Sequence, residues 1–349
     1  MKPVLGPRIQ GYGGQFLLSS NKAIKFSLLI IFLVAWSVIS LSVGAAQVSI
    51  PDIIAVLQGF KVDSLQSTII IEIRLPRILL AIFVGAGIAA SGAAIQGLFR
   101  NPLADPALIG VSSGAALFAA LYLVVSGFFF NVLYGLAASA FLGGLLTTCL
   151  VLEVGRRGGT NSAMLLAGVA INAIAIACIG FLSYISTDMQ LRSVAFWALG
   201  SLGGADWNKI YVASLIPLII IALSLESARL NAITLGETEA IHLGVSIGSF
   251  RVRIIFLTAL AVSIGVALTG VIAFIGLVVP HLVRLTMGST HQTVIPASAL
   301  VGGLLLLVAD TASRMLFAPA ELPVGILTAL IGGPFFVFLI MRSKGSLGI

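Results

Sequence analysis

Residues 78–99 read ILLAIFVGAGIAASGAAIQGLF and contain no charged side chain. A helix needs about 20 consecutive apolar residues to cross the hydrocarbon core of a bilayer, and this run is long enough. Arg74 and Arg77 precede the run and Arg100 follows it, as expected where a helix leaves the membrane at both ends. The small residues inside the run, which would let neighbouring helices approach closely in lipid, include Gly85, Gly87, Ser91 and Gly92. The stretch therefore predicts a transmembrane helix packed within a helical bundle.

The remainder of the chain has the same apolar character. Of its 349 residues, 59% are apolar and 9% are charged, and the mean hydropathy is +1.16. Soluble domains carry roughly 25% charged residues, so a water-soluble fold is excluded. Long runs without a ten-residue alternation also argue against a β-barrel. We expect an all-α integral membrane protein with about ten transmembrane helices, near residues 26–46, 78–99, 107–127, 132–153, 162–185, 209–226, 252–271, 273–288, 295–310 and 324–341.

The basic residues predict how these helices are oriented. With the N-terminus on the cytoplasmic side, ten crossings place thirteen Lys and Arg residues inside and six outside. That excess agrees with the positive-inside rule, whereas an odd number of crossings would spoil it. The expected organisation is a cytoplasmic segment over residues 1–25, one transmembrane domain over 26–342 and a cytoplasmic tail over 343–349. A cleaved signal peptide ending near Val43-Gly44-Ala45 is the alternative for the first run, although that run is longer than the usual signal core of about 7 to 15 residues.

Several local sequence features modify the predicted topology of ten regular transmembrane helices. Gly270 and Pro280 are expected to interrupt the seventh and eighth runs, and the ninth run is short. Residues 47–77 and 186–208 form long outer connections, and residues 227–251 form a long inner one. The inner segment has spaced apolar residues and glycines at 236 and 244, a pattern that predicts two short amphipathic helices. A solvated loop resting on lipid headgroups is the alternative.

The sequence lacks the chemistry that would power transport or catalysis. None of the six lysines completes the phosphate-binding motif G-x-x-x-x-G-K-[ST] of an ATPase, and no H-E-x-x-H zinc motif occurs. Carboxylates are predicted at helix ends and in turns, whereas proton-coupled transporters place them at mid-membrane. Cys149 and Cys178 stand alone, which indicates neither a disulfide nor a thiolate metal site. We therefore expect no catalytic residue, no metal and no cofactor on this chain, which would act as a conduit that takes its energy from a partner.

Eight strings occur in a fixed order between residues of about 70 and 340. They are Arg74-Leu-Pro-Arg77, Arg100-Asn-Pro-Leu-Ala-Asp-Pro106, Gly110-Val-Ser-Ser-Gly114, Leu166-Ala-Gly-Val169, Trp197-Ala-Leu-Gly-Ser201, Gly276-Leu-Val-Val-Pro-His-Leu-Val-Arg284, Ala309-Asp-Thr-Ala-Ser-Arg314 and Glu321-Leu-Pro-Val-Gly325. This ordered set resembles the FecCD family, the permease subunits of ABC importers for iron-siderophores, haem and vitamin B12. Such an ordered set is highly specific.

The resemblance implies a type II ABC importer permease in a bacterial inner membrane. Two copies of this chain would form a homodimer around a central path, with two cytoplasmic ABC ATPase subunits that bind ATP and Mg²⁺ and a periplasmic substrate-binding protein. The strings at residues 100–110 and 191–204 look most like those of haem-importer permeases, so the expected cargo is haem. A ferric siderophore or cobalamin is the alternative cargo. A gated channel or an intramembrane enzyme is the remote alternative.

The resemblance also assigns three sets of residues. The coupling segment, which would seat in a groove on the ATPase, matches Leu235, Gly236, Glu237, Glu239 and Ala240. The gate, which would narrow the path where the two copies meet, matches Thr160, Asn161 and Ser162. The docking arginines, which would bind carboxylates of the binding protein, match Arg74, Arg77 and Arg314. The respective alternatives are solvated acids, a plain helix N-cap and snorkelling into headgroups.

Overall fold

The computed structural model describes residues 13–44, 46–60, 64–125, 132–158, 160–318 and 320–343. Within these residues the regular secondary structure is helical throughout. The α-helices in chain order are α1 (Gly13–Ser42), α2 (Ile50–Leu57), α3 (Ser64–Thr68), α4 (Leu75–Leu98), α5 (Val111–Val125), α6 (Val132–Gly158), α7 (Asn161–Ile185), α8 (Asp188–Ala198), α9 (Trp207–Ala213), α10 (Leu215–Leu225), α11 (Ser227–Leu235), α12 (Glu237–His242), α13 (Ile247–Thr269), α14 (Ile275–Met287), α15 (His291–Met315) and α16 (Val324–Ser343). A π-helical turn, Ile69–Arg74, joins α3 to α4, and a 3-10 turn, Pro106–Ile109, precedes α5.

Each of the ten predicted transmembrane runs coincides with apolar helical structure. Seven helical segments among the described residues are long and apolar enough to cross a membrane. Three shorter apolar helices, Val111–Val125, Ile275–Met287 and Val324–Phe338, account for the other runs. The predicted all-α membrane fold with about ten transmembrane helices is therefore confirmed.

Two predicted boundaries are wrong by several residues. The second helical segment extends from Leu65 to Leu98 rather than from residue 78, because Arg74 and Arg77 bind groups inside the protein and do not end the helix at the membrane surface. The ninth run is not short, since α15 has 25 residues. Its polar end residues are buried against neighbouring helices, as the fully buried Asp310 illustrates. Charged residues therefore mark the surface less reliably here than in a simple spanning helix.

Two prolines, Pro217 and Pro280, lie within predicted membrane-spanning runs and affect them differently. The sixth run is divided into α9 and α10 at Ser214, because Pro217 has no N–H to offer the carbonyl of residue 213. Pro280 lies inside α14 without ending it. The Pro280 ring leaves the carbonyl oxygen of Gly276 without a helical donor, and Gln96 Nε2 donates to that oxygen at 3.4 Å. Of the two predicted interruptions, the one at Gly270 is therefore confirmed, as the last residue of α13 precedes it, and the one at Pro280 is wrong.

Helix α4 lies at the centre of the bundle. The apolar segment that contains it is 83% buried, and α10, α13, α14 and α15 pack around it. A Cβ atom on Gly85 would overlap the carbonyl oxygen of Gly302 in α15, and one on Gly92 would overlap that of Gly276 in α14. The small side chains in the run 78–99 thus allow neighbouring helices to pack closely, as the sequence predicts.

Two long helices lie at the periphery. In the apolar stretch of α1 only 11% of the residues are buried within the chain, and in that of α7 only 22% are buried. Their apolar faces are therefore available to lipid or to another protein chain, since an exposed apolar surface of this size is unstable in water.

Candidate functional site

The docking arginines converge where α1, α4 and α15 meet. Asp310 is fully buried and lies between two of them, with Arg77 Nη2 2.9 Å from Oδ1 and Arg314 Nε 3.2 Å from Oδ2. Arg77 Nη1 also donates to Glu321 Oε2 at 2.9 Å. Two cations therefore share one buried carboxylate, and Glu321 supplies a second acid. Such an arrangement offsets the cost of moving the charges out of water.

Two of these arginines, Arg74 and Arg314, bind the C-terminal end of α1 and the residues that follow it. Arg314 Nη2 donates to Ser40 Oγ at 2.6 Å, and Arg74 donates to the carbonyl oxygens of Leu41 and Ala46. The last carbonyl groups of a helix have no donor within the helix, so arginine side chains are suitable partners for them. The arginine cluster, defined as Arg74, Arg77 and Arg314, thus fastens α1 to α4 and α15.

These internal contacts limit what the arginine cluster can offer to a partner protein. The exposed fractions of Arg74, Arg77 and Arg314 are 5%, 8% and 8%. Their guanidinium groups bind atoms of the chain itself, so little of each side chain is accessible. Glu321 is the accessible member of the site, because its side chain is 47% exposed. Docking of a binding protein stays a prediction, and a partner carboxylate that binds Arg77 would compete with Glu321.

The predicted gate lies at the start of α7. Thr160 has an extended backbone, and its Oγ1 accepts a hydrogen bond from the backbone N of Ala163 at 3.0 Å. Thr160 is therefore the N-cap of the helix that begins at Asn161. Thr160 and Ser162 are both exposed, so capping leaves them accessible to a second copy of the chain. The gate stays a prediction.

The coupling segment lies in α11 and α12, the two short helices that the sequence predicts, and from here the name covers both helices. Gly236 joins them with a φ of +139°, a conformation that favours glycine. Ala240 is fully buried and holds α12 against the bundle, whereas Leu235 and Ile241 are 69% and 60% exposed. Glu239 is also exposed. The segment therefore has one buried face and one accessible face that carries apolar side chains.

Two carboxylates join the coupling segment to α13. Glu237 Oε1 is 3.1 Å from Arg251 Nη2, so this acid is paired and not merely solvated. Glu226, immediately before α11, lies 2.7 Å from Arg253 Nη1 and 2.6 Å from Arg229 Nη1. Burial alone would raise the pKa of Glu226, but the hydrogen bonds from Arg253 and Arg229 and their charges outweigh it and lower the pKa. Glu226 is thus ionised at neutral pH, and its ion pairs are maintained.

A third connection joins α11 to α15. Asn231 Oδ1 accepts a hydrogen bond from the backbone N of His291 at 2.9 Å and lies 2.7 Å from His291 Nδ1. Asn231 Nδ2 donates to Gln292 Oε1 at 2.5 Å. The coupling segment is therefore attached to both α13 and α15, which themselves pack on the central α4.

Sequence patterns identify the arginines of the cluster but not their partners. The acids that bind Arg77 lie 233 and 244 residues away along the chain, beyond any local pattern. One local signal was present, since Asp310 and Arg314 have the i, i+4 spacing of a helical ion pair. Asn231 and His291 are likewise far apart in sequence and are missed.

Residue types that bind metals or catalyse hydrolysis also occur in the described part of the chain. No three His, Cys, Asp or Glu residues there lie close enough together to hold a metal ion. Cys149 and Cys178 are free. The string from Gly110 to Gly114 has the G-x-S-x-G spacing of a hydrolase nucleophile, but that nucleophile needs a strand-to-helix turn. Here the string follows a 3-10 turn and opens α5.

Known proteins share both the sequence and the fold of this chain. A family model described as the FecCD transport family matches residues 29–342. The hemin transport system permease protein HmuU of Yersinia pestis is 48% identical over 282 residues, which cover 78% of this chain and 83% of that protein. The vitamin B12 import system permease protein BtuC of Salmonella paratyphi A is 41% identical over 274 residues, which cover 78% of this chain and 83% of that protein. A solved structure of a metal-chelate type ABC transporter in an inward-facing conformation has a TM-score of 0.83 and 38% identity, and the match covers 92% of this chain and 99% of that one.

The family match accounts for the features found independently in the chain. The relatives are permease subunits rather than ATPases, in agreement with a sequence in which no lysine completes a phosphate-binding motif. The helical bundle around α4 agrees with the matched transporter structure. The chain belongs to the FecCD transport family and is a permease subunit of a type II ABC importer.

Proposed function

We propose that this chain conducts haem across the bacterial inner membrane as a homodimer. Two ABC ATPase subunits, which bind ATP and Mg²⁺, would drive the dimer, and a periplasmic binding protein would deliver the haem. The observation that supports haem is the 48% identity with HmuU, compared with 41% for BtuC over the same share of this chain. Cobalamin is the second candidate cargo, because the similarity to BtuC extends over the same share of the chain.

The coupling segment supplies a physical route from ATP hydrolysis to the membrane helices. Leu235 and Ile241 are exposed on a segment that we place outside the bilayer, and apolar side chains in that position favour a protein partner. A force on α12 would reach α13 through the ion pair between Glu237 and Arg251. A force on α11 would reach α15 through Asn231. Both receiving helices pack on α4, so movement of the ATPases would be passed to the centre of the bundle.

The gate and the arginine cluster complete the proposal. Thr160, Asn161 and Ser162 would meet their copies across the two-fold axis of the homodimer and part during transport. At the opposite end, Arg74, Arg77 and Arg314 would bind carboxylates of the binding protein, with Glu321 as the internal competitor for Arg77. Arginine suits this role because it stays charged and can hold a carboxylate with two parallel hydrogen bonds.

ATP hydrolysis by the purified complex tests the proposal. The complex of this chain with its ATPase is reconstituted into nanodiscs and mixed with binding protein loaded with haem, ferric siderophore or cobalamin. We expect haem-loaded binding protein to stimulate hydrolysis most. Stimulation by cobalamin alone would favour the second candidate, and failure of an ATPase to copurify would contradict the importer assignment.

A further inference from the structure

Helix α8 presents a strongly exposed face near the end of α7. Tyr184 is 87% exposed and Met189 is 80% exposed, the two highest values among the large apolar side chains of the described residues. Arg192 and Phe196 follow Met189 at spacings of three and seven residues, so all three side chains lie on one face of the helix. Phe196 is 65% exposed. A thioether, a guanidinium and an aromatic ring thus lie on one face of α8, and the phenol of Tyr184 lies in the last turn of α7, four residues before α8 begins. We call these four side chains the α8 face.

The opposite side of α8 is firmly attached to the bundle. Val194 is buried against Ala120 of α5 and Leu182 of α7. Gln190 Nε2 donates to the carbonyl oxygen of Val124 at 3.0 Å, and Thr187 and Gln190 form a reciprocal capping box at the start of the helix. Because these contacts fix the orientation of α8, the α8 face is a defined surface and not a frayed helix end.

Arg192 distinguishes this surface from an ordinary lipid-facing patch. Among the residues that the structure describes, no ion pair or hydrogen bond of the Arg192 guanidinium is found, in contrast to the seven arginines that form ion pairs. An arginine beside exposed apolar side chains is unfavourable within hydrocarbon. It is well suited to a ligand that combines an apolar body with carboxylate groups.

We propose that Tyr184, Met189, Arg192 and Phe196 bind an iron porphyrin as it enters the transport path. This inference rests on the proposed haem function and names the contacts that would provide it. Haem is a flat apolar ring with two propionate carboxylates and an iron that accepts axial ligands. Met and Tyr side chains are both known to ligate haem iron. Phe196 would stack on the ring, and Arg192 would hold a propionate.

The high exposure of the ligands fits transient binding. A transport path must bind its cargo strongly enough to admit it and weakly enough to release it. Ligands that remain open to water are displaced more easily than those of a buried haem pocket. Since a homodimer has two copies of the α8 face, a porphyrin could be passed from one set of ligands to the other.

Haemin titration of the complex with its ATPase, in nanodiscs and followed by Soret absorbance, tests the α8 face. Metal-free protoporphyrin IX and haemin dimethyl ester serve as probes for the iron and the carboxylates. We expect Tyr184→Phe combined with Met189→Leu to alter the spectrum of bound haemin and to raise its Kd about tenfold, without changing the Kd of protoporphyrin. Arg192→Gln should weaken haemin and protoporphyrin about tenfold and leave the dimethyl ester unaffected.

Matched controls exist elsewhere in the chain. Tyr211→Phe, Met341→Leu and Arg100→Gln replace exposed residues of the same types outside the α8 face, and they should leave all three titrations unchanged. The inference would be overturned if the α8-face variants had the same Kd values and spectra as the wild type. It would also be overturned if the control variants lost as much affinity as the α8-face variants. Haem uptake by the same wild-type complex, reconstituted into sealed vesicles, separates the two proposals. If the wild-type complex takes up haem but the α8-face variants bind haemin normally, only the role of the α8 face is contradicted. If the wild-type complex takes up no haem, the proposed haem function itself is contradicted.

Discussion

Arg77 in α4 and Asp310 in α15 form an ion pair with 2.9 Å between Nη2 and Oδ1, and the carboxylate is completely buried. Arg314 binds the other oxygen of the same carboxylate. One acid thus compensates two arginines at the end of the bundle where docking is proposed. Asp310 therefore stabilises this end of the bundle, whereas Glu321 is the accessible acid that a partner carboxylate would displace from Arg77.

Asp310→Asn is expected to lower the stability of the permease strongly. The amide keeps the shape of the side chain but leaves two buried arginines without their shared charge, and removal of one partner from a buried ion pair costs about 3–5 kcal/mol. The measurement is the melting temperature of the purified permease in detergent. Glu153→Gln is the matched control, because Glu153 also pairs with two arginines but on the exposed end of α6, where ion pairs contribute little. Equal losses in the two variants would contradict the role of the buried pair.

Glu321→Gln tests docking without disturbing Asp310. If Arg77 binds carboxylates of the binding protein, loss of its accessible competitor should tighten that binding up to about fivefold at low salt. Arg74→Glu should weaken it because the variant reverses one charge of the cluster, and the melting temperature of the variant shows whether loss of the contacts with Leu41 and Ala46 also destabilises the fold. Both effects should shrink at high salt through screening. The dissociation constant of the binding protein is measured at two ionic strengths, and constant values in both variants would mean that the cluster serves only the fold.

The fold could be predicted from the sequence because membrane spans depend on local composition. Residues 78–99 have no charge and several small residues, and they form the buried central helix. The boundaries were less predictable because they depend on distant contacts. Arg74 does not end its helix, since it binds carbonyl groups at the end of α1. Pro280 does not break α14, where Gln96 supplies a donor to the carbonyl that the proline leaves unpaired.

The residues of the site could be predicted from the sequence, but the contacts between them could not. The pattern of residues 227–251 indicates two short helices, since glycine spacing and amphipathicity are local properties. The attachment of α11 to α15 depends on Asn231 and His291, which are 60 residues apart. Spacing cannot reveal such a pair in a single sequence. The exposure that singles out Met189 likewise belongs to the packed bundle and not to its sequence.

Glu239→Arg is expected to uncouple ATP hydrolysis from transport. Glu239 lies on the accessible face of the coupling segment, so charge reversal should disturb the ATPase contact without affecting the fold. We expect transport per ATP hydrolysed to fall on the order of tenfold, a typical effect for an important interface residue. Glu72→Arg, an exposed acid in the π-helical turn before α4, is the control and should leave the ratio unchanged. Normal coupling in Glu239→Arg, together with no cross-link from this segment to the ATPase, would refute the assignment.

Asn161→Cys is expected to form a disulfide between two copies of the chain. The variant is made with Cys149→Ser and Cys178→Ser, because both native cysteines are exposed. In the homodimer, equivalent residues near a two-fold axis face each other, so an oxidant should produce covalent dimers when the inner end is closed. Ser249→Cys, exposed at the start of α13, should remain monomeric. If Thr160 and its neighbours form only a helix cap, neither variant will cross-link.

ATP-dependent uptake into vesicles that contain the complete complex tests the proposed haem import most directly. Haem, a ferric siderophore and cobalamin are supplied separately with the corresponding binding protein, and accumulated cargo is measured with ATP and with a non-hydrolysable analogue. We predict haem accumulation that requires hydrolysis and falls on the order of tenfold in Glu239→Arg. Accumulation of cobalamin or the siderophore without haem, or haem entry independent of ATP, would contradict the proposed haem import.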